Sequence, residues 1–587
     1  MSPRLQVPTL QECSLRYALT VIREGTFMCK GASMIKDERQ YLIRVLHSGI
    51  RQQLINLAFH ECRRDSNLMI EIVYLLLDGS IRCIAPTPEM EHLSTSQCMR
   101  LFCIMHQADA TGLTELKITV NPRMKVAVEH TGMAPLNSLM SRGLARNLHT
   151  LVLRNTCDNA MLAQLGRHAT CLSKLDIADN WLINEQGICQ LLFKDSSSIH
   201  LPADLDDCDW MLTDLNRMPQ DNLTRCCETL QEIRIQDTNT SGISVLMLLM
   251  FVKHLESLGG FLYYRNLGDC ILAVKPFRSR LAITKLWDMH LPWEKMVAIG
   301  EVIGHGLHTL YTRVSQITAK QLPFTALRDL TIDFDYFVYE QAFVDFLATN
   351  GAQLTRLVLL DQGYNMDITV IANYCPQLVE LAASTCLDNH FPHSELAHLK
   401  VARLKINTAQ VFTWIMVNCP IIKKLAVRIE QDEMYEMHRE SEYWLNNRVI
   451  FDLAEMGVPS LDTIEHLSIV YLSSPRERCD SNAIWTLVRA CAQLRTIEDV
   501  ATWQIATPTN LEEQAIQQQQ QQYLTTAEDL IEQNYDVDVY FKHVSLTDFF
   551  RVKATAPANT MHTGVMLTAA FSRGGAWPYL QSVSRLG

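Results

Sequence analysis

The chain has 587 residues, of which 48% are hydrophobic and 20% are charged, a composition typical of folded proteins. Its net charge of −12 argues against nucleic-acid binding through a general basic surface. The 18 cysteines are scattered without a C-x-x-C pair. Many lie in apolar runs, such as Cys103 and Cys189, and we predict mostly small buried side chains in a reducing compartment.

The first predicted element is an amphipathic helix over residues 9–27, where apolar residues recur at helical spacing. Thr9, with Glu12 three residues later, matches a capping box at its start. A second amphipathic helix is predicted over residues 45–61. Residues 67–86 are predicted to form a first strand or an irregular capping repeat.

No basic segment followed by an apolar core opens the chain, so no secretory signal is expected. The most apolar run, residues 245–264, contains Lys253, His254 and Glu256. These polar residues favour a buried helix followed by a strand over a membrane span. We therefore expect a cytoplasmic or nuclear protein with no membrane partner.

The pattern Leu-x-x-Leu-x-Leu recurs along most of the chain. Its copies start at Leu113, Leu148, Leu172, Leu230, Leu255, Ile283, Leu307, Leu327, Leu354, Leu378, Val401, Ile422, Ile464 and, in degraded form, Leu494. From Leu230 to Ile422 successive starts are 20 to 28 residues apart. Leucine-rich repeats have periods of roughly 20–29 residues. The gap of 58 residues after Leu172 leaves room for one more repeat near Ile199.

The stretch LTRLVL, from Leu354, illustrates the predicted unit. Its three leucines are predicted to point inward, the last two alternating as strand residues do. A helix follows in MDITVIANY and is predicted to end at Cys375-Pro376, because proline cannot continue a helix. Cys375 and its counterpart Cys419 are predicted to be packed small residues where one repeat ends and the next strand begins.

This pattern resembles the ribonuclease-inhibitor-like and cysteine-containing leucine-rich repeats over roughly residues 100–505. The resemblance implies an α/β leucine-rich-repeat solenoid, a horseshoe, with a helical N-terminal module. The predicted domains are that module at 1–66, an irregular repeat array at 67–505, and a partly disordered 506–587. The last contains a Gln-rich helix or linker and a C-terminal cap or tail. An acidic insertion at 430–444 is predicted to be a loop or helix, either a solvated face or a binding element.

The N-terminal helices are similar to the short helical boxes of cullin-RING ubiquitin-ligase substrate receptors. Thr9-Leu10 followed by Cys13 resembles an Elongin-binding box, and LHSGIRQQLINLAF resembles the start of an F-box or cullin box. The resemblance implies that Leu10, Cys13, Leu15 and Leu19 bind an adaptor, Skp1 or Elongin C, which carries a cullin. The same helices also fit a structural cap over the open end of the array, and the two roles are compatible.

Side chains between and after the inward leucines are predicted to line the concave side of the array, where repeat proteins commonly bind partners. Their charges have both signs, which favours a protein or peptide partner over nucleic acid. The candidate residues are Lys117, Arg154, Asp176, Arg234, Asp333, Lys405 and Arg428.

Motifs for catalysis are not evident: the sequence has no nucleotide-binding glycine loop, serine-hydrolase elbow or His-Glu-x-x-His. His305 and His308 lack a third ligand at suitable spacing, so we predict no metal site and no cofactor. The sequence predicts a non-enzymatic receptor that holds a protein substrate for a cullin-RING ubiquitin ligase. The alternatives are a scaffold or regulatory binding protein without a ligase and, from another class, an enzyme or enzyme inhibitor built on the repeat surface.

Overall fold

The computed structural model describes residues 9–28, 32–62, 65–86, 93–120, 134–197, 199–201, 208–258, 267–278, 280–288, 295–314, 322–334, 340–360, 364–429, 445–471, 479–498, 503 and 538–539. Two compact units divide the chain. The N-terminal unit comprises Pro8–Thr312 with Pro323–Ala326, and the C-terminal unit comprises most of the remainder. The acidic insertion at 430–444 and nearly all of 506–587 lie outside the described residues.

The N-terminal unit combines helices with short strands. Its described helices are α1 (Leu10–Met28), α2 (Ala32–Val45), α3 (Ser48–Glu61), α4 (Ser66–Leu76), α5 (Thr95–Gln107), α6 (Ala134–Leu139), α7 (Ala145–Asn147), α8 (Asn159–His168), α9 (Glu185–Leu192), α10 (Cys208–Asn216), α11 (Cys226–Thr229), α12 (Gly242–Phe251), α13 (Leu267–Val274) and α14 (Met296–Ile303). Its described strands are β1 (Cys83–Ile84), β2 (Glu115–Thr119), β3 (Thr150–Arg154), β4 (Lys174–Asp176), β5 (Glu232–Arg234), β6 (Lys285–Asp288) and β7 (Thr309–Val314), of which the last two residues belong to the C-terminal unit.

The C-terminal unit has the same mixture with longer strands. Its described helices are α15 (Glu340–Asn350), α16 (Ile368–Tyr374), α17 (Ala409–Asn418), α18 (Asn447–Met456) and α19 (Ser481–Ala490). Its described strands are β8 (Asp329–Phe334), β9 (Arg356–Leu360), β10 (Met366–Asp367), β11 (Glu380–Cys386), β12 (Val401–Ile406), β13 (Lys424–Ile429), β14 (His466–Tyr471), β15 (Thr496–Glu498) and β16 (Asp538–Val539). The fold is therefore mixed α/β.

Strand pairing is parallel in both units. In the N-terminal unit β1 to β5 pair in chain order, and β6 pairs with β7. In the C-terminal unit β8 pairs with β9, β9 with β11, and β11 to β16 pair in chain order, while the short β10 pairs with β11. Parallel neighbours need a crossover between them, and helices supply many of these crossovers.

The sequence pattern and the strands coincide. Each copy from Leu113 to Leu494 contains a strand, apart from the copy at Leu255, which contributes the isolated bridge at Ser257. The three leucines of LTRLVL are at most 5% exposed, so their predicted inward direction is confirmed. Leu357 is aligned with Leu330 and Leu381 on the neighbouring strands, and such aligned apolar residues form the core beneath the sheet.

Two details of the predicted repeat register are wrong. Val401 aligns with Glu380, an outward residue, so the inward series in this repeat is Leu399, Ala402 and Leu404. The repeat therefore starts two residues earlier than predicted. A repeat near Ile199 is also wrong, because β4 pairs directly with β5 and leaves no place for a strand between them.

The N-terminal helices are partly as predicted. The capping box is confirmed: the Glu12 N–H donates to Thr9 Oγ1 at 3.2 Å, and the Thr9 N–H donates to Glu12 Oε2 at 2.8 Å. Of the two alternatives predicted for residues 67–86, the strand is wrong over most of its length. Helix α4 occupies its first half, capped by Asp65, whose side chain accepts from the Leu68 N–H at 3.0 Å. Helix α2 was not predicted.

Two arginines connect these helices by hydrogen bonds to the end of α4 and to the residues just before β1. Arg51 is 3% exposed and donates to the carbonyl oxygens of Leu46 and Leu76 and to the carboxylate of Asp78. Arg39 on α2 donates to two further carbonyl oxygens at the end of α4, at 2.9 and 2.7 Å. A buried cation is tolerated here because hydrogen bonds replace its hydration.

The predicted junction between repeats is confirmed. Helix α16 ends at Tyr374, immediately before Cys375-Pro376, and Cys375 and Cys419 are fully buried. Burial raises the pKa of the Cys375 thiol to about 12. Of the 16 cysteines whose side chains the structure describes, 11 are buried, although Cys103 is exposed where burial was expected.

Helix α12 is buried along its length, as predicted for the apolar run 245–264, while residues 259–264 lie outside the described part. Within the described residues, no helix is both long and apolar enough to cross a membrane.

Candidate interaction surfaces

The sheet face of the N-terminal unit brings three predicted partner-binding residues together. Arg154, at the end of β3, donates to Asp176 Oδ2 at 2.7 and 3.1 Å. Arg234 Nη1, at the end of β5, lies 3.8 Å from the same oxygen. Lys117 lies instead 2.5 Å from Glu115 on its own strand. Each of these cations therefore has a carboxylate within the unit.

A second ion-pair cluster on this face was not singled out from the sequence. Lys285 and Lys174 lie 2.8 and 3.4 Å from the two carboxylate oxygens of Glu232. Partial burial opposes ionisation of Glu232, but the two lysines outweigh it and hold its pKa below the usual value. The register aligns Lys174 with Glu232, so only the strand pairing reveals this contact.

The ends of β3, β4 and β5 share a turn. Asn155, Asp179 and Asp237 each follow the start of their strand by five residues and have φ between 53° and 65°. Asn and Asp adopt this left-handed conformation more readily than other side chains. The repeated turn places polar groups at the same edge of each strand.

The side chain of Asn180 forms hydrogen bonds with backbone groups at this edge. Its Nδ2 donates to the carbonyl oxygens of Leu153, Ile177 and Ala178, and its Oδ1 accepts from the Cys157 N–H at 2.6 Å. The side chain is 2% exposed. It therefore replaces several backbone hydrogen bonds that no strand neighbour supplies.

The three predicted partner-binding residues of the C-terminal unit differ in exposure. Asp333 is 2% exposed and Arg428 is 6% exposed, so neither presents much surface directly. Arg313 Nε lies 3.8 Å from Asp333 Oδ2. Lys405 is half-buried and aligns with Arg428 on the adjacent strand. The structure therefore brings Lys405 and Arg428 together.

A ladder of alternating charges crosses β8 to β12. Arg356 lies 2.7 Å from Asp329 on one side and 3.2 Å from Glu380 on the other. Arg403 also pairs with Glu380. The sequence could suggest each charge but not the ladder, because its members are more than 20 residues apart.

Cations outnumber acids at the outward positions of β9 to β15. The cations are Arg356, Arg403, Lys405, Lys424 and Arg428, and the acids are Glu380 and Glu498. Asp329 on β8, which pairs with Arg356, lies outside this count. Four of the cations lie on the adjacent strands β12 and β13, and we call Arg403, Lys405, Lys424 and Arg428 the basic face.

The predicted adaptor-binding residues lie on different sides of α1. Leu10 is 85% exposed, and Cys13 is exposed too, whereas Leu15 is half-buried and Leu19 is 2% exposed. Leu19 therefore faces the interior.

Further exposed apolar residues continue the side of α1 that carries Leu10 and Cys13. Tyr17 and Val21 follow at helical spacing and are 73% and 49% exposed. On α2, Met34, Tyr41 and Val45 are each more than half exposed. Seven of the 13 exposed large hydrophobic residues in the described part of the chain fall within residues 10–50. This part of the chain therefore exposes more large apolar side chains than the remainder of the described residues.

Within the described residues, no three or more His, Cys, Asp or Glu side chains are arranged around a common point.

Comparisons with known proteins add little. No protein-family model matches the chain, and no curated protein matches it. Among solved structures, it is similar to a chain in the crystal structure of the Rad7 and Elc1 complex in yeast, with 12% identity. That match covers 84% of this chain and 93% of the other, with a TM-score of 0.28. A TM-score this low supports no argument about fold or function.

Proposed function

We propose that this protein is a leucine-rich-repeat solenoid that serves as the substrate-recognition subunit of a cullin-RING ubiquitin ligase in the cytoplasm or nucleus. Its N-terminal helices dock an adaptor, Skp1 or Elongin C, and its sheet face holds a protein substrate. The receptor performs no chemistry; it raises the effective concentration of substrate at the ligase.

The strand pattern supports the repeat part of this proposal. Parallel strands follow one another in chain order, each beginning two residues after an inward apolar residue in most copies. Each strand buries its alternate residues beneath the sheet, as repeat units do when they stack on their neighbours.

One observation carries the adaptor part of the proposal: the N-terminal helices have two apolar sides. Leu19 and Ile22 are at most 5% exposed, on a helix that packs against α3 and α4. Leu10, Tyr17 and Val21 remain at the surface. A helix that only capped the array would need the first side alone. An apolar stripe at helical spacing suits a partner with a hydrophobic groove.

The test uses surface substitutions that spare the core. Leu10→Asp/Tyr17→Asp is compared with Val297→Asp/Met456→Asp, a control pair of exposed apolar residues outside the N-terminal helices. Calorimetric titrations with purified Skp1 and, separately, Elongin C measure adaptor binding. We expect wild type and control to bind one adaptor and the Leu10/Tyr17 variant to lose roughly 100-fold in affinity, typical of two interface hot spots.

A negative result is equally informative. If neither adaptor binds wild-type protein whose circular dichroism shows intact helices, the ligase proposal fails. A non-ligase binding scaffold then becomes the better description.

A further inference from the structure

We propose that the basic face, with its neighbours on β14, binds an acidic segment of a partner protein in extended conformation. This inference rests on the proposed function for its setting, because it names the chemistry of the segment that the sheet holds. Its evidence, however, lies in the C-terminal unit and is independent of the N-terminal helices.

Charge is the first argument. The outward positions of β12 and β13 carry four cations and no acid, and Glu380 on the neighbouring β11 pairs with one of them, Arg403. A local positive surface on a chain of net charge −12 favours an acidic partner and its correct orientation.

Shape is the second argument. One row of aligned residues crosses four consecutive strands and consists of Ala382, Arg403, Ala426 and Ser468. Three of these four side chains are small. A shallow depression here is lined by Arg403, Lys424, Ala426, His466, Ser468 and Glu498, among others. Small side chains allow a peptide backbone to approach the sheet closely, with the cations on either side of it.

Size is the third argument. Neighbouring strands lie about 4.8 Å apart, so the row from β11 to β14 spans about 14 Å. An extended peptide rises about 3.3 Å per residue, so about four residues cross it. Side chains of a peptide alternate in direction, and carboxylates at alternate positions would face the cations together.

Partial burial strengthens the site. Arg428 is 6% exposed, and the side chain of Arg403 is 20% exposed. Partly buried charges are screened less by salt than exposed ones. Guanidinium groups also match carboxylates with two parallel hydrogen bonds, which favours carboxylates over a diffuse negative charge.

The test is fluorescence anisotropy with the full-length protein and a labelled peptide of about 12 residues, alternating Glu or Asp with Ala. Salt is held near 0.15 M, roughly physiological. Lys405→Glu/Lys424→Glu is compared with Lys174→Glu/Lys285→Glu, which makes the same charge change on outward strand positions of the N-terminal unit. We expect at least about tenfold weaker binding for the first pair and little change for the second.

Two further reagents sharpen the result. Lys405→Arg/Lys424→Arg should retain binding, because it keeps the charge. The same peptide with Gln and Asn in place of Glu and Asp should bind at least about tenfold more weakly.

Several outcomes would overturn the proposal. These are no binding of the acidic peptide up to about 1 mM, equal loss in both Lys→Glu pairs, or a single-stranded oligonucleotide of equal charge binding as tightly. Binding seen only after deletion of residues 430–444 would assign the face to the chain's own acidic segment instead. The assay contains no adaptor, so it can fail while adaptor binding succeeds, and the reverse.

Discussion

The sheet faces of the two units use charged residues differently. In the N-terminal unit, Asp176 lies between Arg154 and Arg234, and Glu232 lies between two lysines. In the C-terminal unit, the basic face gathers four cations on two adjacent strands without an acid at their outward positions. The comparison teaches that the charge around an arginine or lysine on a strand is set by its neighbours in register.

The strand ends of the two units differ in the same sense. Asn180 and Asn407 occupy equivalent positions, each eight residues after the first inward leucine of its repeat. Asn180 makes four hydrogen bonds, whereas within the described residues the buried Oδ1 of Asn407 accepts none. The N-terminal unit thus depends more on polar groups at its strand ends.

The largest expected effect tests this difference directly. Asn180→Ala should lower the free energy of unfolding by about 3 kcal/mol, because several buried backbone groups lose their partners. Asn407→Ala, the matched substitution, should lower it by less than about 1 kcal/mol. Urea denaturation gives the free energies, and hydrogen exchange read by mass spectrometry assigns each loss to a unit. Equal losses would remove the distinction between the strand ends.

A second substitution probes whether the C-terminal unit also depends on a closed polar network. Asp367 is fully buried and accepts from Thr369 N–H and Oγ1 and from His390 N–H and Nδ1, at 2.7 to 3.0 Å. Asp367→Asn cannot reproduce these acceptors and should cost about 2 kcal/mol. If Asp367→Asn lowers the free energy of unfolding as much as Asn180→Ala does, the two units depend equally on buried polar groups and the contrast between them is wrong.

The same network predicts a pH dependence of the C-terminal unit. Burial opposes ionisation of Asp367, but hydrogen bonds from Thr369 and His390 outweigh it and lower its pKa. Its contribution is therefore present above the usual Asp pKa near 4 and is lost as pH falls toward the lowered value. The hydrogen bond to Asp367 raises the pKa of His390. The stability that this hydrogen bond contributes is therefore present below about pH 6.5 and is lost as pH rises through the raised pKa of His390.

Urea denaturation across the pH range checks both limbs of this dependence. His390→Gln should reduce the loss of unfolding free energy as pH rises (the alkaline limb) and leave the loss at low pH (the acid limb) unchanged. An unchanged alkaline limb in His390→Gln would contradict the assignment.

The smallest expected effect would make the two faces alike. Asp176→Asn/Glu232→Gln removes the acids that neutralise the N-terminal face, and should cost only about 1 kcal/mol because the cations that pair with them are partly exposed and because Asn and Gln keep a hydrogen-bond acceptor. When Asp176→Asn/Glu232→Gln is added to the Lys405→Glu/Lys424→Glu variant, the affinity for the acidic peptide, measured by anisotropy, should rise a few-fold.

The control removes two acids from helices rather than strands, as Asp214→Asn/Glu301→Gln, where both carboxylates are largely exposed. Restoration by the control as well would show that total charge, and not its register on the sheet, governs binding.

The positions of most strands and their inward residues could be read from the sequence because they depend on local periodicity. The leucines of LTRLVL, the Cys375-Pro376 junction and the Thr9–Glu12 capping box each lie within a few residues of their partners. The error over residues 67–86 has a local cause too. A continuous apolar run has no period, and the deciding signal was Asp65, which caps α4.

What the sequence could not supply joins residues distant in the chain. Arg51 donates hydrogen bonds to residues 25 and 27 positions away, and the sequence around Arg51 gives no sign of these partners. The adjacency of Lys405 and Arg428 follows from strand register alone. The exposure of Leu10 and burial of Leu19 required knowing which side of α1 packs on the next helices.

The buried thiols give this chain built-in reporters of local opening. Burial raises the pKa of Cys189 and Cys226 in one unit, and of Cys375 and Cys491 in the other, to about 12. At neutral pH these thiols are protonated and shielded, so an alkylating reagent modifies each one only when its surroundings unfold transiently. Alkylation rates resolved by mass spectrometry would therefore rank the kinetic lability of individual repeats in the unmodified protein.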